Sequence, residues 1–382
     1  MEKILLIHTK YQNFGGEDQS IINEIELLKK NYNVETLINT NKITNLFNDF
    51  FTILLNRNYS FEKKLKNKLR EYKPDYIYVH NTWFKTSLGV FKILDQYKKP
   101  VLLKLHNFRY HCTAHYLHRN HLKGKEICEA CGIENNSSKI FNKYFEESYI
   151  KSFFAIKYGK KYLDIIKNSN VKIILLTEFH RQFLLEKGVS EKRISVIPNF
   201  ISVKITDDKV SNENYYVYAG RISKEKGIPE LIDSFNSIQM NNMKLKVIGD
   251  GPLLKNLNRK YADNLNIEFL GNIDNKEVLS IIKNSIGVVT ATKLYEGQPT
   301  LLCEASSLGV PSIFPDTGGI KEFFPENYIY SFNQFEYDDL TKKFELLKNN
   351  TEIKKVGKEN QLFISKILNE DDIMKKFRLI ME

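Results

Sequence analysis

Two glutamates bracket the segment YEGQPTLLCE, Tyr295 to Glu304, whose interior is otherwise small, apolar or helix-breaking. Pro299 suits the first position of a helix, and the free N–H groups of Thr300 and Leu301 would then point at an anion. Glu304 lies about one and a half turns into that helix. It is too deep to cap the helix but near enough to reach a hydroxyl of the same ligand; the alternative is a buried carboxylate paired with a lysine or arginine. GRISKEKG (220–227) begins directly after the apolar run YYVYA and puts Arg221 and Lys226 at its mouth. Two cations held there could neutralise a diphosphate without a metal, or they could simply form an exposed basic loop. Gly15 and Gly16 follow the first apolar run and precede a helical stretch. Glycine there either lets backbone amides approach a phosphate or makes a tight turn. VIGDGP (247–252) and DTGGIKE (316–322) are further glycine-rich loops of the same placement.

These loops need elements to hold them, and short apolar runs alternate with helical periodicity along the chain. KILLIHT, a glycine loop, DQSIINEIELLKKN and YNVETLIN open as strand, loop, helix and strand, the start of a doubly wound α/β domain. Further strands are expected at 74–81, 100–107, 171–178 and 193–201, and a polar linker follows. A second series is expected at 215–220, 245–251, 267–271, 286–291 and 310–316. The tail from about 352 to 382 reads as two helices with no strand. Two parallel sheets, each covered by helices, would bind ligands outside the carboxyl ends of their strands, in one shared cleft. The 382 residues also suggest two domains.

The glycines after the first strand, GRISKEKG, VIGDGP, the E-x7-E of EGQPTLLCE, ASSLGVPSI and TGGIKE occur in the order and spacing of the GT-B glycosyltransferases of family 4, which the chain resembles over nearly its whole length. The resemblance implies an α/β GT-B fold of two Rossmann-like domains facing across a cleft. Residues 1–200 would bind the acceptor, residues 212–362 would bind the nucleotide-sugar donor, and a C-terminal helix at 365–382 would cross back to the first domain. It makes Arg221 and Lys226 the diphosphate clamp, and Thr300 and Leu301 the amide donors to phosphate. Glu304 would hold the ribose hydroxyls and Glu296 would lie by the transferred sugar, with Gly16 closing over the diphosphate. The implied enzyme is a retaining, metal-independent hexosyl- or N-acetylhexosaminyltransferase using a UDP- or GDP-sugar and no cofactor. Its acceptor would be a glycan or lipid-linked glycan of a bacterial surface polysaccharide. No D-x-D occurs in the chain, in keeping with protein cations replacing a divalent ion. Many relatives have an aromatic residue where this chain has Gln298, a position bordering the sugar, so donor specificity does not carry over. An epimerase or phosphorylase on the same architecture is the alternative. A glycosidase using the two glutamates would leave the glycine loops and the cations without a task.

LLKLHNFRYHC ends a strand with His106 and Asn107. The resemblance places a histidine at this strand end beside the sugar, which makes His106 the acceptor-side candidate; a satisfied core histidine is the alternative. Five of the eight histidines fall between 106 and 121, and Cys112 precedes CEAC at 128–131. Cys112, Cys128 and Cys131 could hold a structural zinc or be small buried thiols. FEKKLKNKLREYK (61–73) and KYFEESYIKSFFAIKYGKKYL (143–163) fit amphipathic helices, either for an anionic inner-membrane face or as solvated helices with a packed aromatic stripe. The net charge of +11 suits anionic partners, and no recognised nucleic-acid motif is present. No apolar run approaches the ~20 residues of a membrane span, and the N-terminus lacks the pattern of a signal peptide. Both point to a cytoplasmic protein, peripheral at most to the membrane.

Overall fold

The computed structural model describes residues 1–11, 15–42, 46–108, 110, 148–203, 214–238 and 243–382. The described chain divides into two compact units: the chain up to Phe200 together with Glu370–Glu382, and Ile201–Asn369.

The first unit is built on a parallel sheet whose described strands are β1 (Lys3–Lys10), β2 (Asn33–Thr40), β3 (Tyr76–Val79), β4 (Val101–Lys104), β5 (Lys172–Leu175) and β6 (Ile194–Val196), in the order β2-β1-β3-β4-β5-β6. β1 is buried on both faces across Ile4–Thr9, as its unbroken apolar run requires of an inner parallel strand. β2, at the sheet edge, buries only Val34 and otherwise alternates half-buried with exposed residues. The last helix, Glu370–Met381, sets Ile373, Met374, Phe377, Ile380 and Met381 on one stripe. That stripe packs on Ile4, Leu6 and Tyr78 of the sheet. Lys172 donates to the carbonyl of Ile380 at 2.6 Å, and Lys30 pairs with Glu370 at 2.6 Å. The tail is therefore two helices that part company. Ile353–Ile367 lies in the second unit, and the change of unit falls at Asn369/Glu370 rather than at 365.

The second unit has β7 (Asn214–Ala219), β8 (Met243–Ile248), β9 (Ile267–Gly271), β10 (Gly287–Val289), β11 (Ser312–Asp316) and β12 (Ser331–Asn333), in the parallel order β12-β11-β10-β7-β8-β9. Along β7 the side chains alternate between the two faces. Tyr216 and Tyr218 meet Leu231 and Phe235 of helix Ile228–Asn236 and Phe344 of helix Tyr337–Lys348. Tyr215 and Val217 meet Leu302 and Ala305 of helix Thr300–Ser307 and Ile364 of helix Ile353–Ile367. Helices thus cover both faces, as the unbroken apolar strands demand. β12 has only three residues and no alternation to announce it, and it was not expected from the sequence.

Candidate active site

In the second unit the chain leaves β7 for β8 on one side, and returns through β10 on the other. The strand order reverses between β7 and β10, and ligands of open α/β sheets bind outside the carboxyl ends of strands at such a point. The loop after β7 is GRISKEKG, and the loop after β10 runs through TKLYEGQP to helix Thr300–Ser307. The topology therefore sets the two chemically richest stretches side by side. They touch: Lys293 N–H donates to the Glu225 carbonyl at 2.9 Å. A Cβ on Gly227, whose φ is +68°, would lie 2.0 Å from the Ala291 carbonyl oxygen. Gly249 and Gly251 press in the same way on the carbonyls of Gly220 and Ile222, at 1.9 and 2.3 Å from an added Cβ. The glycines of VIGDGP thus let one loop lie against the next.

Lys226 donates to Glu296 at 2.5 Å, and the Thr292 hydroxyl donates to the same carboxylate oxygen at 2.9 Å. The backbone of Glu296 is fixed by the third loop. Gly319 N–H donates to its carbonyl at 2.9 Å, and an added Cβ on Gly318 would stand 2.2 Å from that oxygen. Arg221 stands apart, its side chain 67% exposed with Glu225 at 4.0 Å, while its own carbonyl accepts from the Tyr218 hydroxyl at 2.9 Å. Of the two expected clamp cations, the structure joins Lys226 to Glu296 and leaves Arg221 exposed.

Helix Thr300–Ser307 begins at Pro299, which occupies the cap position rather than the first helical one because its ψ of +95° is extended. No side chain caps this start and no acidic residue lies in its first turn, so nothing in that turn would compete with an anion at the helix start. One turn deeper, Glu304 is half-buried, and burial pushes its carboxyl up to about 7. Among the described residues no ion pair to Glu304 is present, and burial is the cause of its shift. Gln298 is turned inward, 8% exposed, with its side chain hydrogen-bonded to the buried Cys303 thiol.

The start of the first unit's helix Gly16–Leu28 is chemically unlike this one. Gly15 is its cap, and the Gly15 N–H donates to Asp18 at 3.2 Å. With Glu17 and Asp18 in the first turn, that terminus already faces its own carboxylates. Gly16 is exposed there. Nearby, Glu17, His80, Asn81, Trp83, Lys104 and His106 are among the residues lining a pocket at the carboxyl ends of β3 and β4. Nε2 of His106 lies 2.9 Å from Nδ1 of His80, and the two rings are within 23° of parallel with centroids 5.2 Å apart. Burial holds both imidazoles well below the ordinary histidine range, helped for His106 by His80 and for both by Lys104. Sequence reasoning singled out His106 and not His80, although His-Asn follows both strands, in VHN at 79–81 and LHN at 105–107. Cys112, Cys128 and Cys131 lie outside the described residues, as do four of the clustered histidines.

Residues 204–362 match the family described as glycosyl transferases group 1. Over its whole length the chain superposes on solved structures of that architecture. One is the sucrose-phosphate synthase of Thermosynechococcus elongatus (TM-score 0.74, 14% identity, 99% of this chain and 98% of that one). Another is HepE of Anabaena in complex with UDP-glucose (TM-score 0.68, 16% identity, 100% and 99%). The fold is GT-B, and it is the second unit that the glycosyl transferases group 1 family matches. A curated relative, the amylovoran biosynthesis glycosyltransferase AmsD of Erwinia amylovora, is 26% identical over 178 residues, covering 43% of this chain and 49% of that protein. The chain spans about half the length of that relative, or less for others. Within this GT-B chain the family match falls on the unit that carries the β7/β10 switch point, and the curated relative AmsD is by its name a glycosyltransferase.

Proposed function

We infer that the chain transfers a sugar from a nucleoside-diphosphate sugar to a glycan or lipid-linked glycan of a bacterial surface polysaccharide, with retention of anomeric configuration. The observation that carries this is the pairing of an uncapped helix start at Thr300 with two cationic residues on the adjoining loop, at a switch point. In this reading the diphosphate lies on the amides of Thr300 and Leu301, with Arg221 and Lys226 drawn onto it. Glu304 accepts hydrogen bonds from the ribose hydroxyls. Lys226 exchanges its contact with Glu296 for phosphate, which frees the Glu296 carboxylate for the hydroxyls of the transferred sugar. Gln298, packed inward on Cys303, acts on donor choice by shaping the loop between Glu296 and Pro299. Gly16 contributes its exposed backbone, since the adjoining carboxylates Glu17 and Asp18 disfavour a phosphate on that helix start. His106 lies beside the sugar on the acceptor side.

The acceptor oxygen attacks the anomeric carbon as the bond to the diphosphate oxygen breaks, and that oxygen takes the acceptor's proton. The protein's part is charge stabilisation and positioning, with cations supplied by side chains in place of a metal. The test is a transfer assay across UDP- and GDP-sugars with EDTA present. Release of nucleoside diphosphate in step with glycan growth, and an NMR-assigned α-anomeric product from an α-donor, support the reading. Sugar isomerisation without release contradicts it.

We further propose contact with an anionic membrane face. The Phe50 ring packs on Phe154 at 6.1 Å, joining helix Leu46–Leu55 to helix Tyr149–Asn168. Phe50, Phe51, Leu55, Tyr149, Ile150 and Phe153 on these helices remain exposed. A structural zinc on Cys112, Cys128 and Cys131 is tested by metal analysis of the purified chain: a stoichiometric ion lost in the Cys128→Ser variant supports it, and a metal-free chain refutes it.

A further inference from the structure

Beneath the first unit's pocket lies a chain of buried polar groups that the proposed transfer does not use. Oε1 of Glu24 accepts from the Tyr78 hydroxyl at 2.7 Å and from Lys104 Nζ at 2.8 Å. Its other oxygen faces Nε2 of His80 at 4.0 Å. Among the described residues neither of those two atoms has a hydrogen-bond partner, and both are buried. Nδ1 of His80 in turn meets Nε2 of His106 at 2.9 Å. On the other side, His8 contacts Asp18 at 3.0 Å and stands edge-on to the His80 ring. Apolar residues of similar volume in such a place are often as stable as ion pairs or more so, so packing alone gives no reason for this set.

The carboxylate settles which way the protons lie. A lone pair on His80 Nε2 would face the lone pairs of the Glu24 carboxyl oxygen 4.0 Å away, so that nitrogen carries the proton. Neutral imidazole has one N–H, so His80 Nδ1 is an acceptor and the proton between the rings belongs to His106 Nε2. His106 Nδ1 then bears a lone pair, and among the described residues it has no partner. The geometry points to His80 as a positioning residue: it accepts the Nε2 proton of His106, fixes that ring as one tautomer, and leaves His106 Nδ1 to accept from a hydroxyl in the pocket. The set is chained in one direction, from Glu24 through His80 to His106, and His106 is half-buried where it lines the pocket. The consequence for catalysis rests on His106 lying beside the sugar, whereas the tautomer itself does not.

The experiment uses the full chain with 15N-labelled histidine and long-range 1H–15N correlation spectra at neutral pH, the His106 signals being assigned by their loss in His106→Gln. Both His80 and His106 are expected as neutral Nε2–H forms. In His80→Leu the His106 signals should move to a mixture of tautomers. In His80→Asn, whose amide oxygen replaces the accepting Nδ1, they should stay in the Nε2–H form, while His180 stays unchanged in all. With a donor active in the transfer assay, kcat should fall roughly tenfold in His80→Leu, the worth of one hydrogen bond, at little change in the donor KM, and recover in His80→Asn. An Nδ1–H or charged His106 in the wild type, or a His106 indifferent to His80→Leu, overturns the assignment. If the tautomers are as stated but His106→Gln transfers sugar at the wild-type rate, the place of His106 beside the sugar fails and the assignment of His80 stands.

Discussion

Glu304 carries a testable sign. Burial lifts its carboxyl from 4.5 to about 7, so the folded chain keeps a proton that the unfolded chain has lost. Stability is therefore unaffected below about pH 4.5, falls as pH rises toward 7, and stays reduced above. A shift of that size corresponds to at most about 3 kcal/mol. Glu304→Gln should accordingly melt several degrees higher than the wild type at pH 8 and level with it at pH 4.5, read by thermal denaturation. Nucleotide binding should run the other way, strengthening as pH rises through about 7, because only the ionised carboxylate accepts from two hydroxyls; in Glu304→Gln that dependence should vanish. Gly318 is a second point of control. Its φ of +58° and the 2.2 Å approach of an added Cβ to the Glu296 carbonyl leave no room for a side chain. Gly318→Ala should displace the Glu296 loop, cutting transfer more than tenfold while costing on the order of 1–2 kcal/mol in melting experiments.

Among the elements, the C-terminal helix is the clearest dependency. Phe377 is fully buried and packs on the Tyr78 ring at 5.2 Å, so Phe377→Ala should lower first-unit stability by about 3–5 kcal/mol, measured by denaturant unfolding. The two basic stretches show how far a sequence carries. Helix Tyr59–Tyr72 buries Phe61, Leu65, Leu69 and Tyr72 in one stripe, so its aromatic face is core and its lysines are its solvated side. Helix Tyr149–Asn168 has a similar composition but leaves Tyr149, Ile150 and Phe153 outside. Periodicity alone does not separate the two, because an apolar stripe records that a face seeks cover and not what covers it. Strand positions were legible for the opposite reason: an inner parallel strand carries a compact apolar run, as in ILLI of β1 and YYVYA of β7. His80 escaped because its meaning depends on β3 and β4 lying side by side, which no local pattern reveals. The Lys226–Glu296 contact escaped likewise, since seventy residues separate its partners in the chain.

For the whole molecule, two proposals follow from the loops and faces taken together. If the exposed rings of helices Leu46–Leu55 and Tyr149–Asn168 meet a membrane, the chain should sediment with phosphatidylglycerol vesicles. The double variant Phe50→Ser/Phe153→Ser should bind at least tenfold more weakly, each ring being worth about 2 kcal/mol on transfer; undiminished binding would refute the contact. The central claim is that the β7/β10 switch point holds a nucleoside diphosphate. Calorimetric titration of the full chain with UDP and with GDP tests it most directly. One of the two should bind in the wild type and in His106→Gln alike, and should weaken at least tenfold in both Arg221→Ala and Glu304→Ala with the fold intact. Equal binding in all four proteins, or none in the wild type, would contradict it.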